Sequence, residues 1–349
     1  MYKVAGSNLF GQWLSKDIIF DHFRTINEII QPSKSKLTCL CWSFNLFQVD
    51  DKLHISGAFQ GKQNQFTEIP IPEELKYSQI LTVGNDYSLL IVGNKSNILF
   101  VYDLKTQRYK SLGFVDCMNE NDTNFHLQII KVVMNNNNCM YLSSKGDVYC
   151  GMLPMHLDIR ECDGKVIDIV LGYEHAMLLT DTGRVYTWGN GRRLQLGLGD
   201  ISNLDFPTEV KALAGIKIVK ICAGGWHSCA LSESGDLYIW GWNDTGQLGV
   251  KETANDTDIQ SFGFPTIVDV FDENGEELQL NVKDVACGSR HTAILFEDGS
   301  VWTSGSNKYG QLGLCVQRYL KVDCFKKSYT CSGDCVLMCG PWSTIILES

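Results

Sequence analysis

ICAGGWHSCALSESGDLYIWGWNDTGQLG, residues 221–249, holds the pattern from which the fold can be read. A Gly turn carrying His227 leads into an apolar run at 228–231, a turn at Ser234-Gly235, a second run at 236–240 and a Gly-rich turn ending in Gln-Leu-Gly. Two apolar, period-2 runs joined by a few turn residues predict a β-hairpin. A lone hairpin cannot bury its faces, so the fold turns on whether the spacing recurs.

It does recur. From Gly224 a His follows at +3, a Gly at +11 and Trp-Gly at +16, and the frame returns in Gly172/His175/Gly183/Trp188 and Gly288/His291/Gly299/Ser304. Weaker copies run from Gly340 with Ser343, Trp42-Ser43 leading to Ser56-Gly57, Gly84 with Tyr87, and Asn138 with Gly146. Ordered by the His-equivalent position, the units fall at Ser43, Tyr87, Asn138, His175, His227, His291 and Ser343, which makes seven spaced 37 to 64 residues apart.

The seventh unit has only its first strand after Ser343, and the missing half lies at the other end of the chain. Ala5-Gly6-Ser7-Asn8-Leu9-Phe10-Gly11-Gln12 matches Ser304-Gly305-Ser306-Asn307-Lys308-Tyr309-Gly310-Gln311 position for position. Closing the ring this way removes the free sheet edge, which a linear solenoid has no need to do. The sequence thus predicts an all-β fold: a seven-bladed β-propeller formed as one domain over residues 1–349, with residues 1–13 completing the C-terminal blade.

Unit length, Gly-x-x-His and the closing Trp240-Gly241-Trp242-Asn243-Asp244-Thr245-Gly246-Gln247-Leu248-Gly249 resemble the regulator of chromosome condensation repeat. Within that family, residues 223–249, 287–313 and 339–343 are most similar to the small members that consist of a single propeller. Units two and three are degenerate.

Composition fits a closed, turn-dense globular domain: 44% hydrophobic, 20% charged and 32 Gly in 349 residues. A net charge of −10, with no basic run longer than Arg192-Arg193 or Lys326-Lys327, argues against direct nucleic-acid binding, which needs a cationic footprint. It suits a basic partner such as a histone tail, or solubility alone. The opening MYKVAGSNLFGQW has no basic region followed by a long apolar core, so no signal peptide is expected, and no apolar run is long enough for a membrane span. The fourteen Cys then read as reduced thiols, many of them small core residues. Residues 14–36 read as a connection with a short helical turn before Pro32. Residues 116–126 and 135–138 read as loops, and 251–262 and 272–281 as insertions of the kind that carry partner specificity.

No catalytic, cofactor or metal site is expected, and the chain reads as a non-enzyme. Gly93-Asn94-Lys95-Ser96 lacks the glycine spacing that cradles a phosphate, and Gly189-Asn190-Gly191 belongs to a repeat that demands those glycines anyway. Cys331, Cys335 and Cys339, with Cys324 nearby, suggest zinc, yet Cys339 occupies the slot of Cys287, Ala223 and Leu171 just before a turn Gly, a core position. His175, His227 and His291 share one slot in successive blades, which spaces them around the ring. Each is expected to hydrogen-bond a neighbouring strand or blade, fixing its tautomer.

The residue just before each His slot reads Trp42, Asp86, Asn137, Glu174, Trp226, Arg290 and Trp342. Blades five, six, seven and one are contiguous, so Trp226, Arg290, Trp342 and Trp42 are expected to form one arc, faced by Asp86, Asn137 and Glu174. Trp and Arg dominate interface hot spots, which makes the arc the candidate partner-binding surface. The plainer alternative is that each indole covers its own hairpin.

The resemblance implies a non-enzymatic nuclear or chromosomal scaffold whose partner is a JmjC-domain histone demethylase or hydroxylase, with roles in transcriptional repression and chromosome segregation. It also implies an alternative, nucleotide exchange on a Ran-like small GTPase. That alternative calls for a β-wedge the sequence does not locate, and in the founding member a basic N-terminal tail is added; here residue 1 already approaches the closing strand.

Overall fold

The computed structural model describes residues 1–26, 35–75, 79–93, 98–113, 128–250 and 261–349. They form seven four-stranded antiparallel sheets arranged as the blades of one propeller. The regular pattern is clearest in blade five, where Ile218–Ala223, His227–Ser232, Leu237–Trp242 and Ser261–Ile267 pair in that order. Blade six repeats it with Val282–Cys287, His291–Phe296, Ser300–Ser306 and Lys321–Thr330.

Seven apolar clusters hold the ring, one between each pair of neighbouring blades. Cys229, Ile239, Val285 and Phe296 join blades five and six, for example, while Tyr2, Val4, Phe47 and Ile345 join blades seven and one. Every strand of type His175–Thr180, His227–Ser232 or His291–Phe296 is buried along its full length, because both of its faces meet a neighbouring blade. This is the arrangement a repeat needs when no single unit can bury its own surface.

Ring closure follows the sequence reading. Tyr2–Ser7 pairs with Ser343–Glu348, with Tyr2 opposite Leu347 and Gly6 opposite Ser343. The two matched motifs also share their side-chain geometry: Asn8 Oδ1 accepts from Trp13 N at 2.8 Å, as Asn307 Oδ1 accepts from Leu312 N at 3.0 Å. Each Asn also donates through Nδ2 to two carbonyls of its own loop, Ser15 and Asp17 for Asn8, Leu314 and Tyr319 for Asn307.

Two local readings need correction. Residues 14–36 are not only a connection: Ile19–Ile26 is the outer strand of the closing blade, and its burial alternates along the chain as half-buried outer strands do. The turns of blades one and two are displaced by one residue from the sequence frame. The backbone bond that closes the turn runs from Gly224 N to His227 O in blade five, from Cys41 N to Phe44 O in blade one and from Asn85 N to Ser88 O in blade two. The His slots there are therefore Phe44 and Ser88, not Ser43 and Tyr87, whereas Asn138 stands where expected, bonded through Asn135 N. The helical turn before Pro32, residues 94–96, residues 116–126 and nearly all of the 251–262 insertion lie outside the described residues; the 272–281 insertion includes a turn at 272–275 beside a bridge of Phe271 to Glu277.

Candidate functional site: the mouth of the central channel

The turns that precede the second strand of each blade converge at one end of the ring, around a cavity of about 680 Å³. They are tied to one another in sequence around the circle. Asn85 Nδ2 donates to Asn135 O at 3.2 Å and Asn135 Nδ2 to Gly172 O at 2.6 Å. Backbone bonds continue the chain, from Tyr173 N to Gly225 O, Gly225 N to Ser289 O and Ser289 N to Pro341 O, at 3.0, 3.2 and 3.0 Å. Ser43 links blade one to blade two by donating its hydroxyl to Asp86 Oδ1 at 2.8 Å. Between blades seven and one the link is aromatic, with the Trp42 and Trp342 rings 6.0 Å apart, edge to face. Each turn at the mouth is thus tied to its neighbour.

Just beneath it lies a second ring of contacts, made by the three histidines. His175 Nε2 is 2.9 Å from Ser228 Oγ, His227 Nε2 2.9 Å from Thr292 Oγ1, and His291 Nε2 3.1 Å from Thr344 Oγ1, each in the next blade. Each hydroxyl in turn donates to a carbonyl of the Gln-Leu-Gly loop: Ser228 to Gln195 O, Thr292 to Gln247 O and Thr344 to Gln311 O. A hydroxyl has one proton, so the imidazole must supply its own at Nε2, which leaves Nδ1 bare. All three Nδ1 atoms are buried without a hydrogen-bond partner. Burial lowers the imidazole pKa values to about 4, 3 and 4 for His175, His227 and His291, with the neighbouring histidines adding to the shift of His227. They are neutral blade-to-blade braces, and no group of metal ligands is present among the described residues.

The candidate arc divides into two parts. Trp42 and Trp342 stand together with Tyr309, whose ring lies 5.7 and 5.3 Å from theirs, and Phe10 packs on Trp42 at 5.8 Å. Trp226 belongs to a second group with Tyr173 and Trp242, at 5.0 and 5.3 Å. Trp42, Trp226 and Trp342 all line the channel mouth, as do Asp86, Asn137 and Glu174; the expected facing arrangement does not hold for Glu174, which accepts from Trp226 Nε1, or for Asp86, which accepts from Ser43. Arg290 does not line it. Its guanidinium is paired with Asp244 at 3.1 Å and sits 4.8 Å from the Trp242 ring centroid, beside Arg193 at 3.5 Å. The one-residue shift in blades one and two also gives Trp42 and Asp86 the turn position of Gly225 and Ser289, one residue before that of Trp226 and Arg290. Trp242, Tyr309, Tyr173 and Arg193 were not singled out from the sequence. Trp242 and Tyr309 occur inside the repeat motif itself, in Gly-Trp-Asn and Lys-Tyr-Gly-Gln, and an aromatic there was the available signal.

The thiols follow the core reading only in part: Cys41, Cys139 and Cys229 are buried, Cys287 and Cys339 are half-buried on the channel wall, and Cys324 is exposed. Cys222 donates to Val285 O at 3.0 Å, Cys229 and Cys287 lie 3.3 Å apart, and Cys331 and Cys335 approach to 2.8 Å without a third ligand.

Models of the regulator of chromosome condensation repeat match residues 182–231 and 234–295 in one form, and 166–195, 218–247 and 282–311 in another. The chain is similar to the RCC1 domain-containing protein 1 of mouse, 33% identical over 232 residues, and to that of human, 34% identical over 243. These alignments cover 57% and 59% of the chain and 58% and 60% of the relatives' own lengths. Among solved structures, Prp20p from Saccharomyces cerevisiae superposes with a TM-score of 0.77 at 15% identity, covering 99% of this chain and 90% of that one. With the seven blades and the shared closing strand, these matches show that blades four to six carry regulator of chromosome condensation repeats and that the chain is similar to proteins built from them.

Proposed function

We propose that the protein is a non-enzymatic scaffold that docks a partner protein at the mouth of its central channel. The observation that carries this reading is the convergence of Trp42, Trp226 and Trp342 on one preformed cavity, with Arg290 stacked directly behind Trp226 and Trp242. Repeat symmetry asks only for a turn residue at these positions, and large aromatic side chains half-exposed around a mouth of mutually tied turns are the makings of an interface hot spot. The hydrogen-bonded histidines, which could have suggested chemistry, brace the blades through Nε2, are buried and are neutral.

By resemblance to the single-propeller members of that family, the proposed partner is a JmjC-domain oxygenase, and the proposed role a nuclear, chromosome-associated one in transcriptional repression and chromosome segregation. Prp20p is described as binding histones as well as Gsp1p, and a histone is a suitable second contact for a body with a net charge of −10. Affinity purification from nuclei, with the wild-type chain and Trp226→Ala/Arg290→Ala as parallel baits, tests this. A JmjC-domain protein recovered by the first and lost from the second is the expected result. Recovery of a small GTPase instead, with accelerated nucleotide release from it, would replace this reading with nucleotide exchange.

A further inference from the structure

One blade along from the channel mouth, the protein shows how it holds a guanidinium. Arg290 is gripped by a carboxylate, Asp244 at 3.1 Å, and by the face of an indole, Trp242 at 4.8 Å from ring centroid to guanidinium carbon. Arg193 adds a second guanidinium on the other indole-rich side, 3.5 Å from the Trp242 centroid and 4.7 Å from that of Trp226. Planar, weakly hydrated and fixed in charge, the arginine head group suits this combination of stacking and paired acceptors.

The mouth contains the same components. Trp42 and Trp342 meet edge to face, and two carboxylates line the same cavity, Asp86 beside Trp42 through its bonds to Ser43, and Glu174 beside Trp226. Neither carboxylate is neutralised by a cation among the described residues, and no described cation stacks on Trp42 or Trp342. Each is instead oriented by a neutral donor: Asp86 Oδ1 accepts from the amide and hydroxyl of Ser43, and Glu174 Oε2 from Trp226 Nε1 at 3.3 Å. Two fixed negative charges share a cavity whose described lining includes no Lys or Arg. The basic group deeper along the channel wall, Lys220, is already paired with Asp284.

We infer that the channel mouth binds an arginine side chain presented by a basic segment of a partner protein, its guanidinium stacked on the Trp42/Trp342 pair and paired with Asp86 and Glu174. This rests on the docking reading above and specifies its chemistry. The cavity, about 680 Å³, accommodates one such side chain together with flanking backbone, and the turn-to-turn hydrogen bonds hold its walls in place beforehand, which lowers the ordering cost of binding. Charge-assisted bonds to carboxylates in a partly enclosed site are stronger than their solvent-exposed counterparts.

The test uses the full chain and a fluorescein-labelled decapeptide of alternating Gly and Arg, with a Gly/citrulline decapeptide as the uncharged isostere. The Arg peptide should bind about tenfold or more tightly than the citrulline peptide, and Asp86→Asn/Glu174→Gln, which keeps both orienting hydrogen bonds, should abolish most of that difference. A control, Glu161→Gln/Glu273→Gln, removes the same charge from exposed sites away from the mouth and should change affinity less than about twofold. Trp42→Phe/Trp342→Phe should weaken Arg binding while leaving the melting temperature unchanged. Equal binding of the two peptides, or equal losses from the mouth and control variants, would overturn the inference. If the Arg peptide fails while nuclear partner capture still depends on Trp226 and Arg290, only the arginine assignment falls; if capture is indifferent to those residues, the docking reading falls first.

Discussion

In blades four, five and six a buried imidazole reaches across to a hydroxyl of the next blade, whereas in blades one, two and three the same slot holds Phe44, Ser88 and Asn138. The turn residue three positions earlier changes with it. A Cβ on Gly172, Gly224 or Gly288 would lie 2.1, 2.1 or 2.0 Å from the imidazole Cε1, so glycine is required wherever the His is present. In blades one to three, where the His is gone, the turn holds Cys41, Asn85 and Asn135, whereas blade seven keeps Gly340 before Ser343. The asparagines then cap their own turns, with Asn85 Oδ1 accepting from Tyr87 N and Ser88 N, and Asn135 Oδ1 from Asn137 N and Asn138 N. Phe44 joins an apolar cluster with Cys41, Leu46 and Leu89 instead of a polar relay. The Gly-x-x-His signature is therefore one steric unit; in blades one to three, where Gly and His are lost together, apolar packing and Asx turns take its place.

The largest effect should come from breaking the ring where neither device operates. Deleting residues 1–12 removes the strand Tyr2–Ser7 and the Gln12 side chain that donates to Trp42 O at 2.8 Å, exposing two sheet edges. Thermal unfolding should lose its cooperativity or give way to aggregation; a truncated protein that melts like the intact one would contradict closure.

Next in size is the glycine contrast. Gly241→Val and Gly305→Val place a β-branched residue at φ 104° and 106°, with a Cβ 2.5 and 2.4 Å from the carbonyls of Trp226 and Arg290. Gly225 has an ordinary φ, yet its Cβ would lie 2.4 Å from Ser289 O, so Val is excluded there by close approach alone. Each should cost about 3 kcal/mol or more. Gly288→Ala should be comparably harmful because of His291, and Cys41→Ala, at the matching position of blade one, much milder. Equal tolerance in chemical denaturation would show that the imidazole does not dictate the turn.

Thr292→Val tests the relay itself. It strands the Nε2 proton of His227 in a buried site and leaves the Gln247 carbonyl only the long bond from Ser304 Oγ, which should cost on the order of 2 kcal/mol. A valine variant with an unchanged melting point would mean that the relay contributes nothing net.

Acid should find the same three blades. The folded-state pKa values of about 4, 3 and 4 lie below the ordinary imidazole value near 6.5, so the unfolded chain takes up protons first as pH falls. This part of the stability is intact above about pH 6.5 and declines toward pH 4, by roughly 2 kcal/mol per histidine at pH 5. Hydrogen exchange across that range should loosen blades four to six before blades one to three; loosening in the reverse order would contradict the assignment.

The ring, its closure and the bracing role of the histidines were legible because each rests on residues that the geometry leaves no freedom to change: Gly224, His227, Gly241 and the Asn8/Asn307 pair. The one-residue shifts at Phe44 and Ser88 were not, because the Gly and His that mark the frame are missing together. Ile19–Ile26 was read as a connection since its Asp21, His22 and Arg24 resemble a loop, although IFDHFRTI alternates as an outer strand should. At the candidate site, the convergence of three tryptophans followed from repeat position, but the withdrawal of Arg290 onto Trp242 depends on Asp244, a contact across blades that spacing alone does not reveal.

Braces and mouth sit within the same turns, and the account assigns them different work: the histidines hold the ring, the aromatic arc meets the partner. Measuring melting temperature and partner capture on one preparation of Trp226→Ala/Arg290→Ala tests that division directly. Melting within a few degrees of wild type, with capture weakened about thirtyfold or more, is the predicted result. Early melting, with loss of capture that follows unfolding, would show that the arc is structural glue, and a variant that melts and binds normally would contradict its assignment as the docking surface.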